Sequence, residues 1–133
     1  MWNMPGPAPT ILVADDEEMV LKFIEIVLRR EGFRVLAASG GAEALQLCGK
    51  GAEQVDLAVL DIMMPEMDGP RLCRELRETY PNLRVLFISG YNEAELTRRF
   101  GAESLDLLKK PFTSADLVKR VKQILGRPVS VSA

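Results

Sequence analysis

The chain contains no histidine. By itself it therefore builds no Ser-His-Asp or Cys-His nucleophilic system and no histidine-ligated metal site. If phosphohistidine chemistry is involved, the histidine belongs to another protein. Cysteine is scarce too. Cys48 and Cys73 fall in separate helix-like segments, too few for a zinc site and poorly placed for a structural disulfide. Two reduced thiols without catalytic importance are expected. A basic excess is also missing: Lys+Arg number 17 against 19 Asp+Glu, for a formal net charge of −2. Nothing in that balance favours neutralising a phosphate backbone, so direct nucleic-acid binding is not expected. No apolar run approaches the roughly 20 residues that span a bilayer. The opening Met1-Trp2-Asn3-Met4-Pro5 lacks the basic and apolar regions of a signal peptide. The expectation is a cytoplasmic protein with no membrane insertion by this segment.

What is present suits one domain. The 133 residues are 47% hydrophobic and 27% charged, enough for a single core. Residues 1–9, with three prolines and a glycine, read as an irregular lead-in on which Trp2 is free to dock or not. The domain itself is expected over 10–125, with a tail at 126–133. Short apolar runs lie at 11–14, 33–37, 55–60, 83–88 and 105–108. The first, third and fourth are nearly continuous, the pattern of strands buried on both faces in a parallel sheet. Helical patterns separate them. Residues 17–31 carry Met19, Val20, Phe23, Ile24, Val27 and Leu28 at helical spacing, ahead of Gly32 as a left-handed terminator. Further helices are expected at 41–48, at 68–79 before Pro81, at 92–100 after an Asn92 cap, and at 113–125, stopped by Gly126. Five β-α units imply an α/β three-layer sandwich with a five-stranded parallel sheet in the flavodoxin-like order 2-1-3-4-5.

Such sheets bind ligands beyond the carboxyl ends of their strands. The polar residues there are Asp15 and Asp16 after the first run, Asp61 after the third, Ser89 after the fourth, and Lys109 and Lys110 before Pro111 after the fifth. Three carboxylates on one edge repel one another unless a cation offsets them. Mg²⁺ takes oxygen ligands, uses one or two carboxylates and keeps positions for phosphate. An ammonium opposite places positive charge where phosphoryl oxygens would lie. An aspartate can itself accept the phosphoryl group as an acyl phosphate.

The chain resembles a response-regulator receiver domain of two-component signalling. The resemblance rests on Ala14-Asp15-Asp16-Glu17, on the run from Leu60-Asp61-Ile62-Met63-Met64-Pro65 to Asp68-Gly69, on Ile88-Ser89-Gly90-Tyr91 and on Lys110-Pro111-Phe112, over residues 10 to about 125. It implies that Asp61 is the phosphoacceptor, and that Asp15 and Asp16 hold Mg²⁺, with Asp16 the more direct ligand. The Met63 backbone carbonyl is implied as a further ligand. Ser89 matches the hydroxyl that bonds the phosphoryl group after transfer, and Lys110 the lysine, before a Lys-Pro bond that is usually cis. One position departs: Leu107 stands where the family commonly places Tyr or Phe. The implied partner is a histidine kinase or a histidine phosphotransfer domain, with homodimer formation left open. The Ser89-Gly90-Tyr91 form and the proline-rich lead-in are similar to receivers of hybrid histidine kinases.

Blander readings stand beside these. Asp15 and Asp16 alone suggest a helix cap, and Asp68 caps the third helix while Gly69 eases its turn. Lys109, Arg98 and Arg99 read as solvated, and Leu107 as core. An aspartyl-nucleophile phosphatase on the same fold is the alternative function, but the Asp-x-Asp motif of that class is missing after Asp61. A flavin or nucleotide carrier is disfavoured because acidic residues, not a glycine-rich loop, follow the first strand. The expected role is a signalling receiver that catalyses only its own phosphorylation and dephosphorylation, not a metabolic enzyme.

Overall fold

A computed structural model describes residues 6–49, 54–100 and 106–127. Trp2, Leu105 and the tail from residue 128 lie outside the described residues. Five strands, β1 (Thr10–Ala14), β2 (Arg34–Ala38), β3 (Leu57–Asp61), β4 (Arg84–Ser89) and β5 (Leu107–Lys109), alternate with five helices. These are α1 (Glu18–Arg30), α2 (Gly41–Cys48), α3 (Gly69–Thr79), α4 (Glu93–Phe100) and α5 (Ser114–Leu125). The sheet order is β2-β1-β3-β4-β5 and each pairing is parallel, as expected. β1 and β3 are buried at every position. Their unbroken apolar runs suit strands with a helical layer on both sides.

Period-two alternation sorts the core into two layers. Ile11, Val13, Leu57, Val59, Leu86 and Ile88 point to one face, where α1 contributes Ile24 and Leu28 and α5 contributes Leu117 and Val121. Leu12, Leu60, Val85 and Phe87 point to the other, covered by Ala44 of α2, Leu72 and Leu76 of α3 and Leu96 of α4. Cys48 and Cys73 are buried in this second layer, and neither is in a disulfide.

Strand and helix ends differ from expectation for local reasons. Residue 55 precedes β3 rather than opening it: Asp56 already meets β1, its N–H donating to the Thr10 carbonyl, but its carboxylate accepts from Thr10 N at 2.8 Å, and the regular pairing begins at Leu57. Leu83 folds its N–H back to the Tyr80 carbonyl, so β4 starts at Arg84. Gly32 adopts φ +93 after α1. There Phe33 N–H bonds Leu28 O and Gly32 N–H bonds Arg29 O, the paired bonds of a Schellman stop. Gly126 does not act that way, since its φ is −79. The last carbonyls of α5, on Ile124 and Leu125, accept instead from the Arg84 guanidinium at 3.0 and 2.8 Å.

The apolar stripe read along 17–31 is wider than the face that packs. Ile24, Val27 and Leu28 are buried, but Met19 is 85% and Phe23 40% exposed. Met19 and Phe23, one helical turn apart, lie beside the loop after β5. Phe23 meets Phe112 there with ring centroids 6.1 Å apart.

Candidate functional site

The carboxyl ends of β1, β3, β4 and β5 meet at one edge of the sheet. Asp61 is the last residue of β3 and is registered against Ile88, so Ser89 stands one step further along the neighbouring strand. Lys110 N–H donates to the Ser89 carbonyl, which ties the start of the lysine loop to the end of β4. The Lys110–Pro111 peptide is cis.

Asp15, Asp16 and Asp61 each offer a carboxylate oxygen, and these oxygens lie within 4.8 Å of one another. Asp15 and Asp61 are buried, and Asp16 is exposed at the mouth. Asp15 Oδ1 accepts from Glu17 N at 2.8 Å, and Asp61 Oδ1 accepts from Met63 N at 3.2 Å. The second oxygens face Lys110. Its Nζ lies 3.3 Å from Asp61 Oδ2, 3.3 Å from Asp15 Oδ2 and 2.8 Å from Glu17 Oε1. Asp15 Oδ2, though within ion-pair range of the ammonium, accepts no hydrogen bond while buried. A buried carboxylate oxygen without a bond is costly and calls for a ligand.

Negative charge exceeds positive here, and the protonation equilibria follow. Burial, then the Asp15 charge, push the Asp61 carboxyl up to about 6 against the pull of Lys110. Burial raises Asp15 as well, opposed by the Glu17 amide and Lys110. Burial works against the Lys110 ammonium. The bond to Glu17 and the charges of Asp61 and Asp15 outweigh that and hold its pKa above the ordinary lysine value. The donor set is all oxygen, three carboxylates with one unbonded oxygen, which fits a hard divalent cation such as Mg²⁺.

Ser89 is buried, and its Oγ accepts from Tyr91 N at 2.9 Å. Met63 is 44% exposed. Lys109 is exposed, as expected. Leu107 is half-buried, paired with Phe87 and packed against the core layer under α4.

Residues around the site bear out some of the sequence readings and refine others. Neither Asp15 nor Asp16 caps α1; its N-cap is Glu17, whose side chain makes no capping bond. Asp68 does cap α3, accepting from Arg71 N at 2.9 Å. Gly69 is needed for more than a turn: a Cβ there would sit 2.5 Å from the Asp61 carbonyl oxygen. The first turn of α3 thus packs directly against the strand end that carries Asp61. Arg98 and Arg99 are exposed, as expected, and the Arg99 guanidinium also lies over the Tyr91 ring, 4.8 Å from the centroid. Glu17 is the site residue that sequence reasoning missed. The signal was its place directly after the acidic pair.

The chain belongs to the response regulator receiver domain family, whose sequence pattern matches residues 11–122. It is similar to the sensor kinase CckA of Brucella abortus (strain 2308), 39% identical over 126 residues, covering 94% of this chain and 13% of that protein. It is also similar to the alkaline phosphatase synthesis transcriptional regulatory protein PhoP of Bacillus subtilis (strain 168), 38% identical over 119 residues, covering 88% of this chain and 48% of that protein. The chain therefore spans less than half the length of either curated relative. Among solved structures, a response regulator receiver protein from Sinorhizobium medicae WSM419 superposes with a TM-score of 0.76. The two are 39% identical, and the match covers 89% of this chain and 94% of that one. The chain is thus a receiver domain of two-component signalling. No described helix is long and apolar enough to cross a membrane.

Proposed function

We propose that Asp61 is the phosphoryl acceptor of this receiver, served by Asp15, Asp16, Met63, Ser89 and Lys110. The observation that carries this reading is the cluster of the Asp15, Asp16 and Asp61 carboxylates, two of them paired with the Lys110 ammonium, with the buried Asp15 Oδ2 lacking a hydrogen bond. Asp15, Asp16, Asp61 and the Met63 carbonyl would hold Mg²⁺. When bound, the cation offsets the carboxylate repulsion and the charge on the phosphoryl oxygens.

The chain's own residues do the rest. An Asp61 carboxylate oxygen attacks phosphorus of a phosphohistidine. The new O–P bond forms as the P–N bond breaks, and the departing imidazole takes up a proton. With no histidine in the sequence, the donor ring comes from another protein or from a part of the parent protein beyond this chain. Lys110 pairs with the phosphoryl oxygens, and the Ser89 hydroxyl donates to one of them after transfer.

The groove beside the site supports a helical donor. Met19, Val20, Phe23, Lys110, Pro111 and Phe112 line an open depression of about 450 Å³. An exposed apolar patch flanked by the site's lysine suits the histidine-bearing helix of a kinase or phosphotransfer domain. We read the whole as a cytoplasmic signalling switch with a protein-protein output. It catalyses only its own phosphorylation and dephosphorylation, and its parent is either a free-standing regulator or a hybrid kinase. The test is the intact mass after treatment with acetyl phosphate and Mg²⁺. One phosphate should add to the wild type and none to Asp61→Asn, and equal uptake by both would refute the assignment.

A further inference from the structure

Glu17 occupies the N-cap of α1 without using its side chain as a cap. A carboxylate at that place would ordinarily accept from the first-turn amides, where the helix dipole also favours it. Instead the residue is fastened into the acidic cluster at both ends. Its N–H donates to Asp15 Oδ1 at 2.8 Å, and its Oε1 accepts from Lys110 Nζ at 2.8 Å across 93 residues of sequence. That is the shortest of the three carboxylate contacts of Lys110. The pair also straddles the water boundary: the Lys110 side chain is 18% exposed and that of Glu17 61%. Asp15 and Asp61 hold the ammonium from the buried side, Glu17 from the wet side. An ion pair with one partner in water is weak and gives way readily.

We infer that Glu17 is a positioning residue that tethers the Lys110 ammonium at the rim of the site and competes for it with the phosphoryl group arriving on Asp61. This rests on Asp61 as acceptor. An ammonium has three donors, and in the resting protein Lys110 spends two of them on Glu17 and Asp61. A phosphoryl group brings close to two negative charges and strong acceptor oxygens. The solvated bond to Glu17 is the contact that costs least to release in exchange. Glu17 thus keeps the lysine ordered at rest and weakens the site's hold on the phosphoryl state.

The test titrates the Mg²⁺-loaded protein with beryllofluoride, a phosphoryl mimic, following the amide signals of Ser89, Gly90 and Tyr91 by NMR. Glu17→Gln should bind the mimic about two- to fivefold tighter than wild type, the range an exposed ion pair supports. In the mimic-free protein the Lys110 side-chain signals should move. Glu18→Gln removes the same charge one residue on, from an exposed position, and should leave both readouts unchanged. Equal tightening by the two variants would reduce the effect to long-range charge and overturn the inference, as would weaker binding by Glu17→Gln. Mg²⁺ affinity is measured separately. A loss in Glu17→Gln as large as that in Asp16→Asn would make Glu17 a metal ligand and overturn the tether. Wild type that takes up no mimic would sink the acceptor reading and this inference together. Wild type that binds with the same affinity as Glu17→Gln sinks this inference alone.

Discussion

Asp61→Asn in the metal-free protein is expected to stabilise the fold at pH 7.5. Three carboxylates, Asp15, Glu17 and Asp61, share the Lys110 ammonium. Neutralising one of them leaves the lysine still paired and the cluster less negative. Burial and the Asp15 charge move the Asp61 carboxyl from the ordinary 3.8 to about 6. At about 1.4 kcal/mol per pH unit, its ionised form costs about 3 kcal/mol in the folded state. The attraction of Lys110 is already contained in that net shift; asparagine keeps an acceptor for Met63 N–H, but its own buried amide must be desolvated, so a net gain of about 1–2 kcal/mol is expected. For a chain of this size that is a rise in Tm of roughly 3–8 °C. The assay is thermal unfolding in a chelator, followed by circular dichroism. The sign of the pH dependence is defined by the raised pKa. The penalty is present above about pH 6 in the wild type and is relieved as pH falls through 6 toward 3.8. The gap between variant and wild type should therefore narrow from pH 7.5 to pH 5. Saturating Mg²⁺ should reverse the order, since a ligand at 100 times its Kd adds about 2.7 kcal/mol to whichever protein binds it. A variant no more stable than wild type in chelator at pH 7.5 would refute the reasoning, because it would mean that the Asp61 charge is not strained.

Gly69→Ala should cost about 1–3 kcal/mol, measured by urea unfolding, because its Cβ would meet the Asp61 carbonyl at 2.5 Å. A stabilised variant, the usual result of Gly→Ala in a helix, would show that this approach is not tight. Ser89→Ala should shrink the amide shifts that beryllofluoride produces over residues 89–93, since the Oγ that holds Tyr91 N–H is also the group expected to turn to the phosphoryl oxygen. Leu107→Ala should cost about 1–2 kcal/mol of packing and leave that loop response mostly intact; a lost response while the mimic still binds would make Leu107 part of the switch. Asp16→Ala should weaken Mg²⁺ binding, measured by calorimetry, without lowering Tm in chelator, and a lower Tm there would count against charge repulsion in the apo site.

The sequence by itself determined the sheet and the cast of the site. Unbroken apolar runs at β1 and β3, and helical spacing between runs, are local properties of the chain, and five β-α units leave little choice of topology. Asp15, Asp16, Asp61, Ser89 and Lys110 were legible because each ends or follows a strand, and strand ends of a parallel sheet share one edge. What packs across that edge was not legible. Glu17 meets Lys110 across 93 residues of sequence, and its side chain was free to cap α1 until the β5 loop arrived. Asp61 is an ordinary aspartate in sequence; its raised pKa comes from the protein that covers it and from Asp15, just past the end of β1. Gly69 read as a turn former, yet its lack of a side chain matters because α3 begins against the Asp61 carbonyl. Met19 and Phe23 carry the same helical spacing as the buried Ile24 and Leu28. Only the placement of α5 and of the loop at Pro111 left them in water, because spacing defines a stripe on a helix, while the neighbours decide how much of it is covered.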